Sequence, residues 1–282
     1  MLQKPRIAYF GNSDFSLIVL AELKKHGVLP DIVVTTPDQR VGRKQVLTPT
    51  QTKVWAEENG IPHIEQEKLK DETFLEMMKD YSLFIVASYG KIIPKILVDM
   101  PKYHVLNVHP SLLPKYRGPS PLQGQILAGD TEVGTTVMLI DEEVDHGAIV
   151  AQEKVILTEP VGFRELSEKL GALGAKMLAQ ILPQWIDGTI TPHEQEHVQA
   201  TFTKKVEKED GRLDLSDDAY TNWLKYLAYE AWPGVYCMLN RRGQDIRVII
   251  KKAEYKNGVF TLLRVLPEGK KEMDYADFLR GL

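Results

Sequence analysis

A strand-length apolar run followed by a helix-length amphipathic one, repeated through the first hundred residues, leaves this chain few folds to adopt. Arg6-Ile7-Ala8-Tyr9-Phe10-Gly11 suits one buried strand. Asn12-Ser13-Asp14 then turns the chain into a helix with Phe15, Val19, Leu20 and Leu23 on one face. Asp31–Thr35 and Leu83–Ala87 repeat the apolar pattern, with a shorter strand at Pro62-His63-Ile64. Helices are expected from about Thr50 to Asn59, over residues 71 to 79, and from Pro94, where proline suits a first turn. Strands alternating with helices build parallel βαβ units, with the ligand crevice at the carboxyl ends of the strands. One common use of that fold is testable at the first turn. A dinucleotide site wants G-x-G-x-x-G there, and Gly11-Asn12-Ser13-Asp14-Phe15-Ser16 supplies a single glycine, which argues against nicotinamide chemistry.

The next apolar run, His104-Val105-Leu106, ends in Asn107-Val108-His109. Side chains two apart on a strand share a face, so Asn107 and His109 project together at the strand end. Gly134–Ile140 and Ala148–Gln152 read as two further strands joined across Asp141-Glu142-Glu143-Val144-Asp145-His146-Gly147, a return that brings Asp145 back beside His109. An amide donor, an imidazole and a carboxylate around one point suit acyl transfer to an amine. They supply an oxyanion donor, a proton acceptor and a group that orients the acceptor. Singly, each residue reads more readily as structural; their joint placement reverses that preference.

At 282 residues two domains are expected, and 43% hydrophobic with 26% charged residues matches an ordinary globular protein. The lone cysteine, Cys237, excludes an internal disulfide framework or a multi-cysteine zinc site, and fits a reducing cytosol. No apolar stretch reaches the roughly 20 residues that span a bilayer. The first residues run straight into a strand without a signal segment, so a cytoplasmic protein with no membrane partner is expected. The net charge of -4 is uneven. Residues 201–282 carry 15 Lys+Arg against 13 Asp+Glu, and between Arg241 and Lys256 six basic residues face two acidic ones. Such a segment reads equally as a solvated strand edge or as a footing for RNA. His63, His104 and His197 lack metal-ligand spacing and read as structural.

A helix from about Phe163 to Trp185 keeps Phe163, Leu166, Leu170, Leu173, Met177 and Ile181 on one stripe. Polar residues with Gly188 and Pro192 follow, and are read as a linker. A short helix from Ala219 to Tyr229 precedes β-rich runs at Val235–Leu239, Ile246–Ile250 and Val259–Val265, which suit a small barrel. The expected division is a catalytic domain over 1–187, a linker over 188–205 and a β-barrel domain over 206–282.

Asn107-Val108-His109, Ser111-Leu112-Leu113-Pro114, Arg117-Gly118 and Asp145-x-Gly147 together resemble the folate-dependent formyltransferases. Phe10–Phe15, Pro37-Asp38-Gln39-Arg40-Val41-Gly42-Arg43-Lys44, and Lys271-x-Met273 with Asp277-Phe278-Leu279-Arg280-Gly281 extend the resemblance over nearly the whole chain. They point to the branch whose acceptor is charged initiator tRNA. The resemblance implies an α/β domain with a Rossmann-like, mostly parallel sheet and flanking helices, plus a small OB-like C-terminal barrel, here shortened between Tyr255 and Val259. It implies 10-formyltetrahydrofolate as co-substrate, no metal, and a monomer whose partner is initiator methionyl-tRNA.

It further implies that Asn107, His109 and Asp145 are catalytic and that Ser111, Leu112, Leu113, Pro114, Tyr89 and Gly90 line the folate site. Arg40, Arg43 and Lys44 would engage tRNA phosphates from a loop, with Lys205 and Lys208 as weaker candidates. Arg117 is assigned to holding the loop. A sugar-nucleotide N-formyltransferase would share the trio and the folate turn without needing the basic loop. A non-catalytic RNA-binding protein would keep the basic segments without the trio. The chain departs from the family pattern at His146, where Thr is commoner, at Leu215, where Trp is usual, and in the shortened barrel.

Overall fold

The expected parallel units are present. The structure, a computed structural model, describes residues 4–41, 45–241 and 243–280. β1 (Ile7–Phe10) and β2 (Ile32–Thr35) are buried at every residue, as befits parallel strands covered on both faces. Between them α1 (Asp14–Lys25) starts at Ser13, whose hydroxyl accepts the Ser16 N–H at 3.2 Å, and buries Phe15, Val19, Leu20 and Leu23. The polar stretch that follows is more ordered than its composition suggests. β3 (Gln39–Val41) and β4 (Val46–Thr48) form an antiparallel ribbon, pairing Gln39 with Thr48 and Arg40 with Leu47.

The alternation then resumes with α2 (Gln51–Glu58), β5 (His63–Glu65), α3 (Glu72–Met78), β6 (Leu83–Val86), a single turn of α4 (Lys95–Val98) and β7 (Val105–His109). α5 (Pro121–Ala128) leads to β8 (Glu132–Leu139), β9 (Ile149–Ile156) and the long α6 (Phe163–Ile186). The sheet has seven strands in the order β5-β2-β1-β6-β7-β8-β9. The pairs from β5 through β7 are parallel, and β8 turns the edge antiparallel to β7. Phe10 meets Phe84 at 5.3 Å and Tyr89 at 5.5 Å between ring centroids, within a core that includes Val34, Leu97 and Val105.

The chain leaves β1 first toward β2 and later toward β6, so the topological switch lies at the end of β1. Asn12 occupies that place. Its Oδ1 accepts the Thr35 hydroxyl and the Thr36 N–H, each at 2.9 Å, and its Nδ2 donates to the Tyr89 carbonyl. A side chain stitches three strand ends where a dinucleotide fold keeps bare backbone, which gives the missing glycines a structural reason.

The chain forms two compact units. One takes the chain up to Pro119 with Gly134–Val155 and Ser167–Phe202. The other takes Ser120–Val133, Ile156–Leu166 and the chain from Thr203 onward. The stretch read as a linker is not slack: Ile149 and His193 exchange backbone hydrogen bonds at 2.8 and 3.0 Å within the first unit.

In the second unit α7 (Ala219–Tyr229) is capped by Asp218, whose carboxylate accepts the Thr221 N–H at 2.8 Å. β10 (Val235–Arg241), β11 (Gln244–Lys256), β12 (Val259–Pro267) and β13 (Met273–Asp274) form an antiparallel sheet in that order, followed by α8 (Tyr275–Arg280). This small sheet stands where a barrel was expected. Among the described residues no pairing of β13 with β10 closes it.

Candidate active site

β7 ends in the first half of the site. Asn107 lies across the ladder from Met138 and beside Val86 of β6, and His109 lies across from Thr136. Strand alternation sends both side chains to one face. Asn107 is half-buried, and the described residues offer its carboxamide no hydrogen-bond partner. His109 is buried, with its Nε2 3.0 Å from the Tyr116 carbonyl oxygen. A carbonyl oxygen only accepts, so this contact puts the ring proton on Nε2 and leaves Nδ1 with its lone pair. The Tyr116 carbonyl therefore holds the ring from its Nε2 side.

The second half comes from the loop between β8 and β9. Asp145 places Oδ1 3.5 Å from His109 Nδ1, while its Oδ2 accepts the Gly118 N–H at 2.7 Å. The 3.5 Å gap is long for a hydrogen bond. It leaves the carboxylate facing Nδ1. Asp145 has a φ of +50°, a left-handed conformation disfavoured for residues other than glycine. Gly147 explains part of the loop's course: a Cβ there would lie 2.1 Å from the Leu139 carbonyl oxygen, so only glycine fits beneath the strand end. Of the three residues drawn together from the sequence, His109 and Asp145 approach one another, on the face of β7 that Asn107 shares.

The loop's other contacts were not foreseen. Gln195, in the segment read as a linker, donates to the carbonyls of Asp145 and Gly147 at 2.9 and 2.8 Å. Arg117 donates twice to Gln195 Oε1, from Nε at 3.1 Å and Nη2 at 2.7 Å. His146 Nδ1 bonds Asp141 at 2.7 Å, and its ring stacks on His197 at 4.1 Å. The presence of His146 where Thr is commoner is the one sequence signal that could have drawn attention to this contact.

A cleft of about 450 Å³ opens beside the same loop. Ile93, Val98, Val105, Leu139 and Ile140 give it apolar walls, and Asp141–Glu143 and His146 its polar rim. None of the six residues expected to bind folate lines it. Ser111 and Leu113 are buried: Ser111 donates to the Lys115 carbonyl, and Leu113 packs on Met138 and Ile149. Tyr89 is buried in the core, and burial pushes its unpartnered hydroxyl up to about 12. Apolar or turn-forming residues next to a site read alike in sequence whether they face the ligand or the core behind it. Leu112 and Pro114 are half-buried on the same turn, and Gly90 is exposed with a φ of +78°.

Of the cations expected to meet tRNA, Arg40 is exposed on β3 with Nη1 donating to the Gln45 carbonyl at 3.2 Å. Arg43 and Lys44 lie outside the described residues. Lys205 and Lys208 are exposed in the second unit. Among the described residues no group of three or more His, Cys, Asp or Glu could hold a metal ion, and no helix is long and apolar enough to cross a membrane.

A family model described as formyl transferase matches residues 5–182. The methionyl-tRNA formyltransferase of Chloroflexus aurantiacus is 40% identical over 246 residues, covering 86% of this chain and 79% of that protein. That of Bacillus licheniformis is 35% identical over 301 residues, covering 98% and 95%. Among solved structures, HypX from Aquifex aeolicus in complex with tetrahydrofolic acid shares the fold with a TM-score of 0.68 at 16% identity, covering 98% of this chain and 47% of that one. The chain belongs to the methionyl-tRNA formyltransferase family of formyl transferases.

Proposed function

We propose that the protein transfers the formyl group of 10-formyltetrahydrofolate to the α-amine of methionyl-initiator tRNA, giving N-formylmethionyl-tRNA for translation initiation. The observation that carries this reading is the approach of Asp145 to His109, 3.5 Å apart, on the face that Asn107 shares.

In this reaction the methionyl ammonium loses a proton to His109 Nδ1, and the free amine attacks the formyl carbon. A carbon–nitrogen bond forms and the formyl oxygen takes up negative charge, which the Asn107 amide stabilises by donation. The imidazolium then lies between the Tyr116 carbonyl and the Asp145 carboxylate. Collapse of the intermediate breaks the bond to folate N10, the imidazolium gives its proton to that departing nitrogen, and the attacking nitrogen releases its second proton to solvent, leaving the neutral formamide.

The cleft beside the Asp141–Gly147 loop is the seat for the folate ring, since flat heterocycles favour apolar walls with a few convergent polar groups. The Ser111–Pro114 turn and the Tyr89-Gly90 stretch then act as its frame. Arg40, Arg43 and Lys44 meet acceptor-stem phosphates, and Lys205 and Lys208 contribute from the segment beyond the catalytic region. In this scheme residues 1–187 do the chemistry, 188–205 connect, and 206–282 help hold the tRNA. The protein works in the cytoplasm as a monomer and without a metal, because amine attack on an activated formyl group needs none.

The deciding experiment supplies labelled 10-formyltetrahydrofolate with either charged initiator tRNA or an amino-sugar nucleotide. Incorporation into methionyl-tRNA is expected. Incorporation into the sugar nucleotide alone would replace this reading with its rival, and incorporation into neither acceptor would end both.

A further inference from the structure

We propose that Gln195 is a positioning residue for Asp145, acting through the backbone of the catalytic loop. The inference rests on the formyl transfer proposed above. Gln195 is only 4% exposed, and both ends of its carboxamide are in use. Nε2 donates to the Asp145 and Gly147 carbonyls, and Oε1 accepts from Arg117 Nε and Nη2. Rotating the amide by half a turn would set its NH2 against a guanidinium and its oxygen against two carbonyls, so one orientation is enforced.

The anchor behind it is itself fixed. Arg117 is 3% exposed, contacts His197 Nδ1 at 2.8 Å through Nη2, and donates its backbone N–H to the Thr201 carbonyl at 2.9 Å. Two residues before Gln195, His193 is tied to Ile149 at the start of β9 by their paired backbone bonds. The sheet, the guanidinium and the carboxamide form one chain of contacts that ends on the carbonyl of Asp145.

That carbonyl belongs to a residue with a φ of +50°. Strained conformations of this kind persist only where the surroundings over-determine them. Here Gln195 holds the Asp145 carbonyl, Gly118 holds its carboxylate, and Gly147 is packed against Leu139. The carboxylate's reach to His109 follows from that backbone. Only a carboxamide meets the requirement, because a carboxylate cannot donate to two carbonyls and an ammonium cannot accept from arginine.

Gln195→Glu separates the two halves of this role. It keeps an acceptor for Arg117 and removes the donor to the loop. We expect a folded protein, both KM values at wild-type level, and kcat lowered roughly 10²-fold, the loss that a misplacement of about 1 Å brings. In an Asp145→Asn background the same change should cost little more, because the group it positions is already disabled. Full kcat in Gln195→Glu, a loss confined to KM, or losses that multiply independently with Asp145→Asn would overturn the proposal. Circular dichroism reports folding. If Gln195→Glu unfolds, Gln195→Met is judged by the same criteria, and unfolding of both assigns Gln195 a structural role only.

Failure of the wild type on charged tRNA, with activity on an amino-sugar nucleotide, sinks the proposed acceptor alone. The Gln195 series is then read on that second acceptor. Inactivity on both removes the basis of each claim.

Discussion

Two segments of the first unit carry residues that the proposed reaction uses, and they are built on opposite principles. The Asp141–Gly147 loop is pinned: Gln195 on two of its carbonyls, Gly118 on the Asp145 carboxylate, Asp141 on His146, and Gly147 seated where no Cβ fits. The β3–β4 ribbon is anchored mainly at its base. There Lys53 Nζ meets Asp38 at 2.9 Å and Glu65 at 2.5 Å, and the Glu65 and Asp38 carboxylates keep its ammonium firmly charged. Beyond the base, Val46 and Leu47 stand 58% and 59% exposed. Proton transfer tolerates little displacement, whereas attraction between cations and phosphates acts over several ångströms. In the reaction proposed, the carboxylate of Asp145 therefore sits on the pinned loop beside His109 of β7, and the cation of Arg40 on the open ribbon.

The largest test of that contrast is His109→Ala, which should lower kcat by roughly 10²–10⁴ as general-base loss does. Normal turnover would break the comparison at its firm end. Asn107→Ala should follow, at roughly 10²–10³ in kcat from a missing oxyanion donor. A rise in KM alone would move Asn107 from the chemistry to binding. Gly147→Ala probes the pinning itself. Overpacking of this kind costs about 1–3 kcal/mol, and the melting midpoint should fall together with kcat. An alanine that changed neither would show that the loop has slack.

Neutralising Arg40, Arg43 and Lys44 should act differently: a higher KM for tRNA, unchanged kcat at saturation, and a salt dependence flatter by about 0.9 for each phosphate no longer neutralised. A fall in kcat at saturating tRNA would erase the distinction between the loops.

The smallest effect is expected far from both, at Cys237 on β10. Burial pushes this thiol up from 9.0 to about 11, so the fold favours the neutral form. That contribution is complete below pH 9 and is lost as the pH rises through about 11. Disulfide exchange with a small reagent at a pH of about 8 should be slow until the protein is denatured, and rapid reaction of native protein would contradict the burial.

How much of this was legible in the sequence varies by region. β1, β2 and β6 announce themselves because apolar runs of four or five residues bounded by turns have little else to form in an α/β chain. Asn107 and His109 were legible for a related reason, since the alternation of side chains along a strand fixes their common face. α5 was missed because Pro-Leu-Gln-Gly-Gln-Ile-Leu-Ala carries a glycine and two glutamines that blur its helical stripe. The β3–β4 ribbon was missed because its strands are short and Val46 and Leu47 stand exposed, so no buried apolar face marks it. Gln195 was invisible: a polar residue among His, Glu and Gln reads as linker, and its importance depends on partners 50 and 78 residues away. Ser111, Leu113 and Tyr89 show the converse, since their burial is not legible from their closeness to the site in sequence.

The most direct test of the central claim is single-turnover formyl transfer to methionyl-initiator tRNA by His109→Ala, Asp145→Asn and the two combined. If the carboxylate works through the imidazole, the double variant should be no slower than His109→Ala alone. Losses that multiply would show the two side chains acting independently and would contradict the site described.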